Sequence, residues 1–125
     1  DWESRYKHLI EIGKRLTSMD ESLKTDSNKI KGCQSQVWLY AEFKDGLIYF
    51  TADSDASIVK GIIALLVNVY SGSTPDEILT TKPQFLEDLG LREHLSMSRA
   101  NGLTSMLKQI SFYAMAFKAK SQMSH

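Results

Sequence analysis

The sequence predicts an α+β fold, a three-stranded antiparallel sheet with helices packed on one face, in one domain over residues 1–125. Three observations predict it. Residues 37–43 alternate apolar and polar at the period of a strand. Asp45-Gly46 is a turn dipeptide that folds a second alternating run back on the first. The segments on either side repeat apolar residues at helical spacing. A chain of this length hides about two-thirds of its unfolded surface, enough for one core.

In chain order, Trp2, Tyr6, Leu9, Gly13 and Leu16 recur at steps of four and three, the inward face of a helix ending near Thr17. Residues 18–29 are polar without apolar period and read as a loop leading to the only cysteine. Val37, Leu39, Ala41 and Phe43 form one face of the first long strand, and Trp38, Tyr40 and Glu42 the other. If Asp45-Gly46 is a type I′ turn, Lys44 pairs with Leu47, Phe43 with Ile48, Ala41 with Phe50 and Leu39 with Ala52, so both apolar faces coincide. Residues 28–32 supply a third antiparallel strand, which leaves residues 33–35 at the bend before the strand that begins near Gln36.

Asp53, Ser54 and Asp55 offer capping side chains for a helix over residues 56–70 that is apolar nearly all round. Ile58, Ile62, Leu65 and Val69 make one stripe, and Val59, Ile63, Leu66 and Tyr70 another. Thr74-Pro75-Asp76-Glu77 starts a short helix with a capping threonine, proline in the first turn and acids at the positive end of the dipole. The pattern restarts after Pro83 around Phe85 and Leu86, breaks at Gly90, and resumes in a last helix over residues 98–120. Leu103, Met106, Leu107, Ile110, Ala114 and Phe117 face inward there. Gly61 and Gly102 each cost about 1 kcal/mol relative to alanine inside a helix, and close packing is the reason to keep them.

Lysine plus arginine and aspartate plus glutamate number 15 each, so no overall field draws the chain to nucleic acid or to an anionic membrane. Its longest apolar stretch is about half a membrane span. Asp1-Trp2-Glu3 shows no basic-then-apolar leader, and cytoplasmic residence is the expectation. A single cysteine excludes an internal disulfide and any zinc or cluster site made of several thiolates from this chain. Asp53 and Asp55 lack a histidine or third carboxylate nearby and read as capping residues, not metal ligands.

Cys33 sits in Lys31-Gly32-Cys33-Gln34-Ser35-Gln36-Val37-Trp38-Leu39. Lone cysteines are more often buried small hydrophobes than nucleophiles. This one lies off the core stripe, at the bend, where a side chain is displayed, and Lys29 and Lys31 are near enough in sequence to raise its thiolate fraction. The octapeptide from Gly32 to Leu39 resembles the cysteine motif of the SufE family, sulfur acceptors of cysteine desulfurases. Further segments follow that family's pattern in order: Asp53-Ser54-Asp55-Ala56-Ser57-Ile58-Val59-Lys60-Gly61, Thr74-Pro75-Asp76-Glu77-Ile78-Leu79, Leu89-Gly90-Leu91, and His94 through Ser98-Arg99-Ala100-Asn101-Gly102-Leu103. Met97 departs from it, standing where the family usually has proline ahead of Ser98-Arg99.

The resemblance implies a SufE/IscU-like fold and a protein that is not itself an enzyme. Its Cys33 thiolate would take the terminal sulfur of a persulfide made by a pyridoxal-phosphate desulfurase of the SufS type. The sulfur would pass to an iron-sulfur scaffold complex, or, as a variant, to a sulfur pathway that makes no clusters. Such a chain needs no cofactor of its own. Gln34, Ser35, Gln36, His94, Arg99 and Asn101 are implied to support the cysteine or to dock the partner. Arg99, a cation in a helix's first turn, opposes the dipole and calls for an anion nearby. Because an exposed persulfide is lost to reductants and oxidants, the Cys33 tip is expected to rest partly covered and to move outward at its partner.

Two rivals remain. A Cys-His hydrolase or acyltransferase needs an imidazole from His8, His94 or His125 at Cys33 and donors for an oxyanion, but no nucleophile elbow or orienting carboxylate is recognisable. A cluster scaffold would need more ligands than one thiol.

Overall fold

The N-terminal helix α1, Trp2–Lys14, is capped by Asp1, whose carboxylate accepts the Ser4 amide at 2.8 Å. It stops short of Thr17 because Arg15 and Leu16 donate to the carbonyls three residues back, at Ile12 and Gly13, and tighten the last turn. The computed structural model describes residues 1–88 and 90–123, with the backbone alone of Phe85, Arg92 and Glu93. Leu89, the Phe85 side chain and His125, all named above, lie outside the described residues.

Strands β1, Val37–Lys44, and β2, Leu47–Ser54, pair antiparallel in the register counted from the turn, with Phe43 opposite Ile48, Ala41 opposite Phe50 and Leu39 opposite Ala52. Asp45 and Gly46 both have positive φ, 53° and 82°, as a type I′ turn requires. The expected third strand does not form, and the described sheet has two strands. Asp26–Asn28 is a 3-10 turn and Gly32 turns the chain at φ 85°. Between these two turns only Ile30 reaches β1, donating to the Val37 carbonyl at 2.8 Å, with Lys29 bridging to Trp38. Too few residues remain for a ladder.

Helix α2, Ser57–Tyr70, carries no side-chain cap, contrary to the reading of Asp53 and Asp55. Both carboxylates are engaged elsewhere. Asp55 accepts the Gln36 amide at 3.0 Å, across the start of the sheet. Asp53 is buried and pairs with Lys24 at 2.9 Å and Lys60 at 3.3 Å, tying the 18–29 segment to the hairpin and α2. Burial alone would raise the Asp53 carboxyl, but hydrogen bonds from Lys24, the Ser54 amide and Lys60 outweigh it and hold it below the usual carboxylate range.

α2 buries Ile58, Ile62, Ile63 and Leu66 in the core, while Val69 is exposed. Its last turn is covered on the Tyr70 side, where the hydroxyl donates to the Thr81 carbonyl at 3.2 Å.

Helix α3, Pro75–Thr80, has the expected start, with Thr74 and Glu77 closing a reciprocal capping box. Short helices α4, Gln84–Asp88, and α5, Leu91–His94, flank Gly90, and the long α6, Met97–Met123, follows. Ser96 supplies the entry that the missing proline would have stiffened, accepting the Arg99 amide at 3.3 Å. α6 buries Leu103, Met106, Ile110 and Ala114, stacks Phe117 on Phe43 at 5.1 Å, and sets Tyr113 edge-on to Phe50 at 6.4 Å. An ion pair at 2.7 Å between Lys118 and Asp76 fastens it to α3.

α1 and α2 cross backbone to backbone. A Cβ built on Gly61 would lie 2.1 Å from the Leu9 carbonyl oxygen, and one on Gly13 would lie 2.7 Å from the Gly61 nitrogen. Gly61→Ala is therefore expected to force the helices apart. The gain in helix propensity, about 1 kcal/mol, should be overwhelmed by overpacking against a backbone that cannot rotate away, for a net loss of about 1–3 kcal/mol. A urea midpoint that falls at unchanged slope would show this, and an unchanged midpoint would refute the contact.

Candidate functional site

Cys33 lies on a loop pinned at both ends. Ile30 is held by Val37 at 2.8 Å. Gln36 is held by Asp55, which accepts its amide and donates its own amide to the Gln36 carbonyl at 3.3 Å. Between these anchors the chain makes a tight turn at Lys31-Gly32, and among the described residues the one side-chain hydrogen bond of 31–35 runs from the Cys33 thiol to the Gly102 carbonyl of α6, long at 3.8 Å. The thiol itself fastens the tip.

The notch that receives it is made by a glycine. A Cβ on Gly102 would stand 3.1 Å from Cys33 Sγ, so α6 lets the sulfur approach only because that position has no side chain. Around the thiol lies a cavity of about 80 Å³ with an apolar floor of Val37, Val59, Ile62, Leu103 and Met106. Its rim is polar, formed by Gln34, Ser35, Ser98 and Arg99.

Cys33 is half-buried, partly covered as expected of the resting tip and less displayed than its place at a bend alone implied. Burial pushes its thiol above the ordinary cysteine range. The anticipated help from Lys29 and Lys31 does not materialise, because both side chains are exposed and burial is the only cause that acts on the thiol. Burial thus favours the neutral thiol in the notch, and a more exposed position would favour the thiolate.

Of the other sequence-derived candidates, Gln34, Ser35 and Arg99 share the cavity with Cys33. Arg99 lies in the first turn of α6, exposed and without an ion-pair partner among the described residues. Gln36 serves through its backbone, and Asn101 is exposed on α6 outside the cavity lining. His94 stacks on Trp2 with ring centroids 4.4 Å apart and sets Nδ1 2.9 Å from the Gly90 carbonyl. His8 lines a different hollow with Trp2 and Leu91. Among the described residues no histidine lines the thiol cavity, and no three His, Cys, Asp or Glu side chains are grouped to hold a metal ion.

Sequence reading missed Ser98 on the rim and the α2 and α6 side chains of the floor. The one available signal was Gly102 itself, a glycine inside a helix, which announced a close neighbour without naming it.

Residues 1–114 match the family described as SufE: Fe-S metabolism associated domain. The chain is 42% identical over 118 residues to an uncharacterized SufE-like protein of Synechocystis, covering 94% of this chain and 74% of that protein. It is 44% identical to another uncharacterized SufE-like protein, from Rhizobium meliloti, over 88% of this chain and 82% of that one. Against SufE-like protein 1, chloroplastic/mitochondrial, of Arabidopsis thaliana, identity is 42% over 96% of this chain but 33% of that longer protein. The fold recurs in the solution structure of a hypothetical protein from Thermus thermophilus, with TM-score 0.74 at 22% identity over 91% of this chain and 84% of that one. Among the described residues no helix is long and apolar enough to cross a membrane. With more than nine-tenths of its length matched to the family's pattern, the chain belongs to the SufE family.

Proposed function

We propose that this chain is the sulfur acceptor and activator of a pyridoxal-phosphate cysteine desulfurase of the SufS type, carrying persulfide sulfur on Cys33 to an iron-sulfur scaffold complex. The observation that carries the reading is a sheltered thiol at a loop tip that is tied to the helix beneath it by one long thiol hydrogen bond. Cys33 thiolate attacks the outer sulfur of a persulfide on the partner's cysteine. The partner's S–S bond breaks, its thiolate leaves, and a persulfide stands on Cys33, with one sulfur moved and no net oxidation. Turnover and cofactor belong to the partner.

The resting cavity suits the loaded tip as well as the empty one. At about 80 Å³ it exceeds the room a single water needs, roughly 10–15 Å³ by the same measure, so a second sulfur fits when the loop folds back. There it is shielded from stray thiols and oxidants. Arg99 and the positive end of α6 meet the negative charge at the rim. Gln34 and Ser35 complete that rim, while Gln36, His94 and Asn101 support or dock from outside it. A free catalytic thiol suits the reducing cytoplasm. The Cys-His hydrolase reading gains no support from His94, which is engaged with Trp2 and Gly90.

Incubated with a cysteine desulfurase and cysteine, the chain is expected to gain one sulfur by intact mass and to lose it to reductant. Cys33→Ser should gain none and should stimulate turnover poorly, and a Cys33→Ser chain that stimulates as well as the parent excludes the relay. Arg99→Ala is expected to slow sulfur acceptance about tenfold, the worth of one charge-assisted hydrogen bond, with no change in the urea midpoint. An equal fall in both would mark a structural residue.

Gly102→Ala should push the sulfur out of its notch. Because burial raises the thiol pKa, the parent's alkylation by iodoacetamide should rise with pH around a midpoint above that of a free cysteine. In the variant that midpoint should fall toward the free value and the rate at neutral pH should climb several-fold. Unchanged profiles would show that the notch does not govern the thiol.

A further inference from the structure

A second opening lies on the other side of the hairpin. In an antiparallel pair closed by a two-residue turn, the flanking residues exchange both hydrogen bonds and the next pair none. Counted from the turn, Lys44–Leu47, Glu42–Tyr49, Tyr40–Thr51 and Trp38–Asp53 are the bonded pairs. Ile48, Phe50 and Ala52 therefore turn their backbone groups to the far edge of β2.

Part of that edge is covered. Ile48 donates to Ser73 at 2.8 Å and accepts from Gly72 at 2.7 Å, and the Phe50 amide donates to Ser71 Oγ at 2.9 Å. Beyond it, among the described residues, nothing meets the Phe50 carbonyl or the amide and carbonyl of Ala52. Ala52 is nonetheless only 1% exposed. Buried backbone groups almost always have partners.

These groups open on a cavity of about 480 Å³ between the end of α1 and α2, within the range of ligand pockets, ~300–1,000 Å³. Ile12, Leu16 and Leu65 give it apolar walls. Arg15 also lines it, exposed and without an ion-pair partner among the described residues.

We propose that the open stretch of β2 at Phe50–Ala52 is a strand-addition site for an extended segment of another protein, one with alternating apolar side chains and a carboxylate that meets Arg15. A peptide backbone in extended form presents the donor and acceptors that Ala52 and Phe50 lack, and its alternate side chains reach the walls. An acyl chain would leave the backbone groups unpaired. A second copy of this chain is disfavoured, since pairing edge to edge would bring two Arg15 side chains together. The cavity shares no lining residue with that of Cys33, so a partner seated here leaves the thiol free. The proposal does not depend on the sulfur reading.

The test selects displayed random linear heptapeptides against the intact chain and titrates the enriched peptide into isotope-labelled protein. Enriched peptides are expected to alternate apolar residues and carry an acid, to move the Ala52 amide resonance downfield and to slow its hydrogen exchange. Arg15→Glu should bind them about tenfold more weakly, and a peptide N-methylated at alternate residues should not bind. Absence of enrichment, an unmoved Ala52 amide, undiminished binding of the methylated peptide or of Arg15→Glu, or self-association through this edge would each overturn the proposal.

Discussion

Contact between the backbones of α1 and α2, allowed by Gly13 and Gly61, sets where α2 lies, and α2 furnishes a wall of both the Cys33 cavity and the cavity beside β2. Val59 and Ile62 form part of the floor beneath Cys33, and Leu65 lines the cavity beside the β2 edge. Lys60, between them, reaches Asp53 and helps fasten the 18–29 segment. A wider crossing would shift all three at once. Interiors packed to crystal-like density transmit such displacements instead of absorbing them.

At Cys33, protection and reactivity are opposed by the same cause. Burial favours the neutral, covered thiol, and exposure outside the Gly102 notch would favour the thiolate. Little holds the tip down. Besides one weak thiol contact and the apolar contacts of a small side chain, a matter of about 1–2 kcal/mol, no side-chain hydrogen bond ties residues 31–35 to the rest of the fold among the described residues. On the proposed relay, docking of a desulfurase would supply energy on that scale, and its departure would let the tip fall back.

Local chemistry made much of the fold legible. Asp45-Gly46 and the alternation on either side set the hairpin register residue by residue, and Thr74 through Glu77 set the start of α3. The third strand failed because composition does not reveal that turns at Asp26–Asn28 and Gly32 leave too few residues between them. Asp53 and Asp55 looked like caps because that is their commonest local use, whereas their real partners, Lys24, Lys60 and the Gln36 amide, are brought near by the tertiary fold. The cysteine was singled out by its motif, yet its surroundings were not, since Gly102 lies 69 residues further along the chain. Helical glycines betray a close approach without revealing what approaches.

The two pins of the cysteine loop also set a distance. Cys33 stands three residues from Ile30 on one side and three from Gln36 on the other. Fully stretched, three residues span roughly 10 Å. The sulfur is thus on a short tether, and a donor buried much deeper than that below its own protein's surface would have to open a wider mouth or come out to meet it. On the proposed relay, the arm length of this loop bounds how deep a partner's cleft can be.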